Sequence, residues 1–278
     1  MTILTFTLLV WVGALVAGFL GALTGLGGGV VIVPLLALGC GVDMRYAIGA
    51  SLVSVIATSS GAAAAYVKEG YTNIRIGMFL EIATTVGALL GAFLATQLPV
   101  TLIAIIFGLV LLYSAVLSSR SQHEHPNASP ADPWATRLKL YGAYPSTHGP
   151  QPYQARAIPL GFSLMFGAGV LSGLLGIGSG AAKVLAMDQA MRIPFKVSTT
   201  TSNFMIGVTA AASAGVYLNR GYIDPGLAMP VMLGVLLGSM LGARVLMGAK
   251  TRGLRFLFSS LIVVIGFEMI YKGLTGRL

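Results

Sequence analysis

Lys183 stands directly behind the glycine-rich run Gly176-Ile177-Gly178-Ser179-Gly180, after a stretch from Ala157 to Ala182 that holds no charge. A lysine at a bilayer centre costs about 2.5–3.5 kcal/mol, so it needs a partner or a purpose. Asp188, five residues on, or Glu81 would neutralise it as a buried ion pair. The functional alternative is a fixed cation that attracts an anion or exchanges a proton. Glu81 and Asp188 are then the candidate proton carriers.

The glycines are a second candidate. Each weakens a helix by about 1 kcal/mol relative to alanine, so several together unwind it. Backbone freed inside a membrane survives only where it is buried or lines a cavity. Half-helices meeting there aim N–H groups and dipoles inward, which suits an anion. For either run alone, close helix packing on small residues is the structural alternative. Hydroxyl groups add to the set: Ser51 closes Ala47-Ile48-Gly49-Ala50-Ser51, and Asn203 follows Ser198-Thr199-Thr200-Thr201-Ser202. Capping explains some of these, but five consecutive hydroxyl residues exceed what one cap requires. The expected substrate-facing residues are Gly27, Gly28, Gly29, Ser51, Gly178, Ser179, Gly180, Lys183, Thr201, Ser202 and Asn203.

What positions these groups is a unit that recurs at a spacing of 151 residues. Gly25-Leu26-Gly27-Gly28-Gly29 returns as Gly176-Ile177-Gly178-Ser179-Gly180, Ser51 meets Ser202, Thr58 meets Thr209 and Tyr66 meets Tyr217. Gly70-Tyr71 meets Gly221-Tyr222, and Leu90-Gly91-Ala92 meets Leu241-Gly242-Ala243. A duplicated apolar unit with a glycine break in each copy is a known architecture of membrane transporters.

Composition puts both units in a bilayer: 56% of the residues are hydrophobic and 9% charged, where a soluble chain carries about 25% charged. The expected fold is an all-α polytopic membrane protein. Each repeat has a glycine-broken or re-entrant first segment and then three transmembrane helices, near 46–67, 76–97 and 100–118 and near 197–218, 226–248 and 254–272. Residues 1–118 form the first repeat, 119–156 a cytoplasmic linker loop and 157–278 the second repeat. The region Ser118 to Arg156 holds six of the twelve prolines and all three histidines, without hydrophobic period, and reads as a surface loop. The opening segment lacks a basic start and runs past a normal signal-peptide core, so it reads as a span.

Basic residues weigh the orientation of the repeats. With a cytoplasmic linker and a second unit inverted relative to the first, eleven lie inside: Lys68, Arg75, Arg120, Arg137, Lys139, Arg156, Arg192, Lys196, Lys250, Arg252 and Arg255. Four lie outside: Arg45, Arg220, Lys272 and Arg277. A parallel arrangement gives nine and six, so the positive-inside rule favours inversion. Lys183 and Arg244, within apolar segments, enter neither count. The net charge of +9 belongs to these loops rather than to nucleic-acid binding.

Other signals carry less. The first glycine run lacks the strand–turn–helix context of a dinucleotide site. His123-Glu124-His125 reads as a solvated loop tripeptide, so neither metal nor cofactor is expected. Cys40 is a single cysteine and forms no internal disulfide. Trp11 and Trp134 fit interface positions, and Arg244 and Glu268 lie near span ends where they can snorkel.

The paired glycine runs, with Val33-Pro34 behind the first, and the small-residue motifs Ala47–Ser51 and Thr200–Asn203 resemble the sulfite exporter TauE/SafE family, also called the toluene-sulfonate uptake permease family. The resemblance covers the chain apart from the linker. It implies a carrier in the cell's inner membrane for sulfite, sulfoacetate or other sulfonates, often moving them outward. Ser179 in place of a glycine, Lys183 in place of an apolar residue and the long linker depart from the family pattern. The expected function is export of a small sulfur-containing anion by alternating access, and no enzyme activity. Its partners are that anion, the bilayer and a proton as candidate coupling ion, with a homodimer among the assemblies considered. A channel or cation-coupled uptake permease on the same fold is the alternative. An intramembrane hydrolase using Ser179 and Lys183 as nucleophile and base is the remote one.

Overall fold

The computed structural model describes residues 2–24, 28–68, 70–119, 132–145, 149–246 and 251–276. Among the described residues the regular structure is helical but for one hairpin. In the first half α1 is Ile3–Thr24, α2 Gly29–Pro34, α3 Met44–Lys68, α4 Ile74–Gln97 and α5 Val100–Ser119. The linker holds α6 (Pro133–Arg137), β1 (Tyr141–Tyr144) and β2 (Gln151–Gln154). In the second half α7 is Ile158–Leu175, α8 Gly180–Leu185, α9 Phe195–Asn219, α10 Pro225–Leu246 and α11 Thr251–Thr275.

The expected helices lie within a few residues of the observed ones, because their bounds follow from local chemistry. Asn73 caps α4 by accepting from Ile76 N–H at 3.0 Å, and Asp224 accepts from Gly226 N–H at 2.9 Å where α10 begins. Both α2 and α8 continue as π-helical segments, Leu35–Gly39 and Ala186–Ala190. They are closed by matching long bonds, Val42 N–H to Leu36 O at 3.0 Å and Ile193 N–H to Met187 O at 2.9 Å.

Packing joins the two halves helix by helix. α1 lies on α10, α4 on α7, α5 on α11, and α3 and α9 cross at the centre. Glycines bring the first two pairs to backbone contact. A Cβ on Gly87 would sit 2.2 Å from Phe166 O, and one on Gly238 would sit 2.0 Å from Leu15 O. Such small-residue seams are how helices associate where lipid offers no hydrophobic drive.

The side-chain contacts fix two ends of the bundle. At one, Arg45 at the start of α3 lies over the ring of Tyr222, just beyond α9, at 5.5 Å. At the other, Lys196 at the start of α9 lies over Tyr71, just beyond α3, at 6.0 Å. α3 and α9 are therefore antiparallel. The linker packs at the Tyr71 end, where Asn73 Nδ2 donates to Tyr153 OH at 2.7 Å.

α7 and α8 form a hairpin that returns to where it started. Arg156 N–H, before α7, donates to Met191 O, after the π-helical segment, at 2.9 Å. At about 1.5 Å per residue, the 18 residues of α7 reach about 27 Å into the bundle before the chain turns back.

Ile74–Gln97, Ile158–Leu175 and Pro225–Gly242 are each long and apolar enough to cross a membrane, and Leu4–Leu20, Gly29–Gly39 and Val100–Val116 are shorter apolar stretches. α9, expected as a span, does not reach that apolarity although it has 25 residues. The reason is its position: Ser198, Thr201, Ser202, Thr209 and Ser213 are all turned into the protein rather than toward the outside. Leu4, Val86, Leu109, Val264 and Phe267 form part of an exposed apolar belt instead.

The linker departs from the expected structureless loop. Its described residues form α6 and an antiparallel hairpin with Tyr141 opposite Gln154 and Tyr144 opposite Gln151. Ala135, Leu140, Tyr153 and Ala155 are buried in one cluster with Ile76, Leu80 and Met191. The prolines concealed this: Pro133 occupies the first turn of α6, and Pro152 lies within the short edge strand β2. His123-Glu124-His125 lies outside the described residues.

Candidate functional site

The second glycine run is a buried turn at the tip of the α7–α8 hairpin. Gly176, Gly178 and Ser179 have φ of +68°, +69° and +42°. Glycine takes such angles freely, whereas serine pays about 1–2 kcal/mol. Ser179 is held there by its own hydroxyl, which donates to Ala168 O at 2.5 Å. One turn before Gly176, Ser172 buries a hydroxyl with no partner.

The first run comes to the same place. Gly25, Leu26 and Gly27 lie outside the described residues. Gly28 and Gly29 are buried, and a Cβ on Gly29 would meet Ser51 Oγ at 2.8 Å and Gly176 O at 3.1 Å. Ser51 Oγ donates to that carbonyl at 2.7 Å. Ser202, 151 residues on, donates to Gly180 O at 3.3 Å. So Gly29, Ser51, Gly176, Gly180 and Ser202 converge. They supply the hydrogen bonds that broken backbone requires away from water.

Lys183 follows this turn on α8. It is fully buried, and its Nζ donates to Thr209 Oγ1 on α9 at 2.5 Å. Thr209 Oγ1 donates to Glu81 Oε1 on α4 at 2.7 Å. Thr85 Oγ1 donates to the same oxygen at 3.1 Å. Glu81 is 6% exposed, and its Oε2 is buried without a hydrogen-bond partner. The expected pairing of Lys183 with Glu81 is thus a relay through one hydroxyl. Asp188 is buried on the π-helical segment and has interactions of its own.

The polar run on α9 divides. Ser198, Thr199 and Thr200 donate to carbonyls of Ile193, Phe195 and Lys196 near their own helix start, the local back-bonding open to such residues. Thr201 accepts from Asn73 N–H at 3.1 Å and so joins α9 to the start of α4. Ser202 faces the glycine turn. Asn203 is half-buried. The Ser179–Lys183 spacing does not assemble a dyad here, since Ser179 bonds Ala168 O and Lys183 bonds Thr209.

Thr209 and Ser172 are the members that spacing did not single out. Thr209 was visible only as the repeat partner of Thr58. On a helix it lies two turns from Ser202 on the same face, which is the signal that would have found it. At the positions 151 residues away Ile32, Thr58 and Met232 replace Lys183, Thr209 and Glu81, and Thr58 bonds only its own helix at Ser54 O, 3.0 Å. The ionic relay joins α4 of the first half to α8 and α9 of the second, and the repeat gives it no counterpart.

Residues 10–269 match the model of the family described as sulfite exporter TauE/SafE. A probable membrane transporter protein, YunE of Bacillus subtilis (strain 168), is 29% identical over 279 residues, covering 98% of this chain and 99% of its own. YdhB, a probable membrane transporter protein of the same organism, is 26% identical over 83% of this chain and 84% of its own. A probable membrane transporter protein of Methanocaldococcus jannaschii is 26% identical over 96% of each chain. No solved structure matches. With nearly the whole chain matched, and with apolar helices long enough to span a bilayer, the chain belongs to the sulfite exporter TauE/SafE family of membrane transporters.

Proposed function

We propose that the protein carries a small sulfur-containing anion, sulfite or an organosulfonate, outward across the cell's inner membrane by alternating access. The observation that carries this reading is the fully buried Lys183, placed between the glycine turn and a hydroxyl rather than against a carboxylate oxygen. A cation so desolvated attracts an anion strongly once the charge on Glu81, beyond that hydroxyl, is neutralised. The anion would bind where Gly29, Ser51, Gly178, Ser179, Gly180 and Ser202 lie together, with Gly28 next to it on the side of Val235. Thr201 and Asn203 flank that place on α9.

The two halves act as inverted repeats around this centre. Support comes from element bounds that recur 151 residues apart, as Gly29–Pro34 and Gly180–Leu185 do, and from the antiparallel crossing of α3 and α9. The hairpin α7–α8, with both ends on the linker side, favours the topology with eleven basic residues inside. Rocking one half against the other would open the centre to each side in turn. Glu81, with one unpartnered oxygen, is the favoured candidate for a coupling proton, ahead of Asp188.

Radiolabelled sulfite and sulfonates offered to proteoliposomes test the reading. Wild-type protein should accumulate label, and Lys183→Met should not, while eluting as a folded protein in detergent. Failure of the wild type to move any of these anions, with or without a pH gradient, would refute the assignment.

A further inference from the structure

We infer that the Glu81–Thr209–Lys183 relay takes up one proton together with each monovalent anion, so that the loaded carrier is electrically neutral and the two are co-transported. This rests on the reading that the anion binds at Lys183. Lys183 donates to Thr209 at 2.5 Å and Thr209 donates to Glu81 Oε1 at 2.7 Å. Oε2 is buried and bare. A carboxylate left with a bare oxygen away from water is poorly solvated, and a proton on that oxygen removes the charge that needs solvation.

Charge counting gives the sign. With Lys183 protonated and Glu81 ionised, the relay is neutral as a whole and offers an anion no net attraction. Passing a proton along it leaves this unchanged: an Nζ–H bond breaks as one forms on Thr209 Oγ1, whose own proton bonds to Glu81 Oε1. A proton arriving from solvent at the carboxyl leaves Lys183 uncompensated in a medium of low dielectric. One negative charge then balances it. Proton and anion therefore each raise the affinity for the other.

Few other charges intrude. α7, packed on α4, has no ionisable residue in Ile158–Leu175. α9 brings Lys196, at its start over Tyr71, and Tyr217, whose hydroxyl donates to Gly173 O at 3.2 Å. α3 carries Arg45 and Lys68 at its two ends. Asp188, beyond α8, has interactions of its own. The coupling also sets what drives export: with an acidic exterior the proton gradient opposes it, so outward movement is driven by the anion's own gradient.

The test uses the full chain in proteoliposomes and methanesulfonate, an anion ionised at every pH employed. A pH dye inside should report acidification as labelled methanesulfonate enters, one proton per anion. An imposed potassium potential should leave the rate unchanged. Apparent affinity should weaken about tenfold per pH unit on the alkaline side. Glu81→Gln keeps the cation without the proton site. On the acidic side, where Lys183 keeps its proton, it should still exchange labelled for unlabelled methanesulfonate independently of pH, and its net flux should respond to the potential. Net flux of the wild type without proton movement, alkalinisation on anion uptake, or pH dependence of Glu81→Gln on that acidic side would overturn the inference. If that variant does not reconstitute, the wild-type proton count decides. Net uptake of methanesulfonate without proton movement removes the coupling and leaves transport standing. Absence of wild-type exchange refutes the transport reading, and this inference with it.

Discussion

Thr209→Val is the substitution that separates the ionic relay from ordinary helix packing. Valine keeps the volume of threonine and deletes the hydroxyl that accepts from Lys183 and donates to Glu81. Hydrogen bonds to charged groups contribute about 1.5–3 kcal/mol each, so losing two costs about 3–6 kcal/mol. Movement of Lys183 toward Glu81 would recover part of this, which sets the expected loss near 3 kcal/mol. Thr58→Val is the matched control at the equivalent turn of α3. Its hydroxyl bonds only Ser54 O and Val55 O on its own helix, and such neutral intramembrane bonds average about 0.6 kcal/mol. At roughly 2–4 °C per kcal/mol, Thr209→Val should melt about 6–12 °C below wild type and Thr58→Val within about 2 °C of it. Thermal unfolding of purified protein in one detergent measures both. Thr209→Ser, which restores the hydroxyl, should recover most of the loss. Equal shifts for the two valine variants would mean that the relay contributes nothing to the fold, and the charge reasoning built on it would fail.

Gly87→Ala and Gly238→Ala should each lower the melting temperature, since their new methyl groups meet carbonyl oxygens at 2.2 and 2.0 Å and overpacking costs about 1–3 kcal/mol. Gly215→Ala, with nothing within 4 Å, should be neutral or stabilising by up to about 1 kcal/mol in the same melt. At Ser179, glycine relieves the positive φ as it deletes the bond to Ala168 O, so Ser179→Gly should be near neutral; Ser179→Ala keeps the strain and should lose about 1 kcal/mol. Methanesulfonate exchange should persist in Ser179→Ala, whereas a serine hydrolase would lose all activity. Burial pushes the Tyr153 hydroxyl above its ordinary 10.0, against the hydrogen bond from Asn73. A raised value means that docking of the linker hairpin is fully stable below pH 10.0 and weakens as pH rises above it. Limited proteolysis of the linker should accelerate there in wild type, and Tyr153→Phe should remove that limb of the pH profile.

Much of the architecture was legible without coordinates because it depends on local chemistry. Apolar length between charges sets the helices, and consecutive glycines break them wherever they occur. The family likewise follows from the order of short motifs along the chain. Pattern failed where a helix's polarity is answered by its neighbours. α9 carries hydroxyls because it is central, and the linker folds because Ala135, Leu140 and Tyr153 find an apolar surface on the bundle.

Composition and the short motifs thus determined that this is a helical membrane protein of a transporter family, and the 151-residue recurrence set Ile32 and Met232 where Lys183 and Glu81 find their counterparts. Only tertiary structure decided what Lys183 does. Glu81, Lys183 and Thr209 lie on three different helices, more than 25 residues apart along the chain. No local periodicity relates them. Whether a buried charge finds a carboxylate, a hydroxyl or nothing depends on distances of a few ångströms between helices. The crossing of α3 and α9 and the return of the α7–α8 hairpin set those distances.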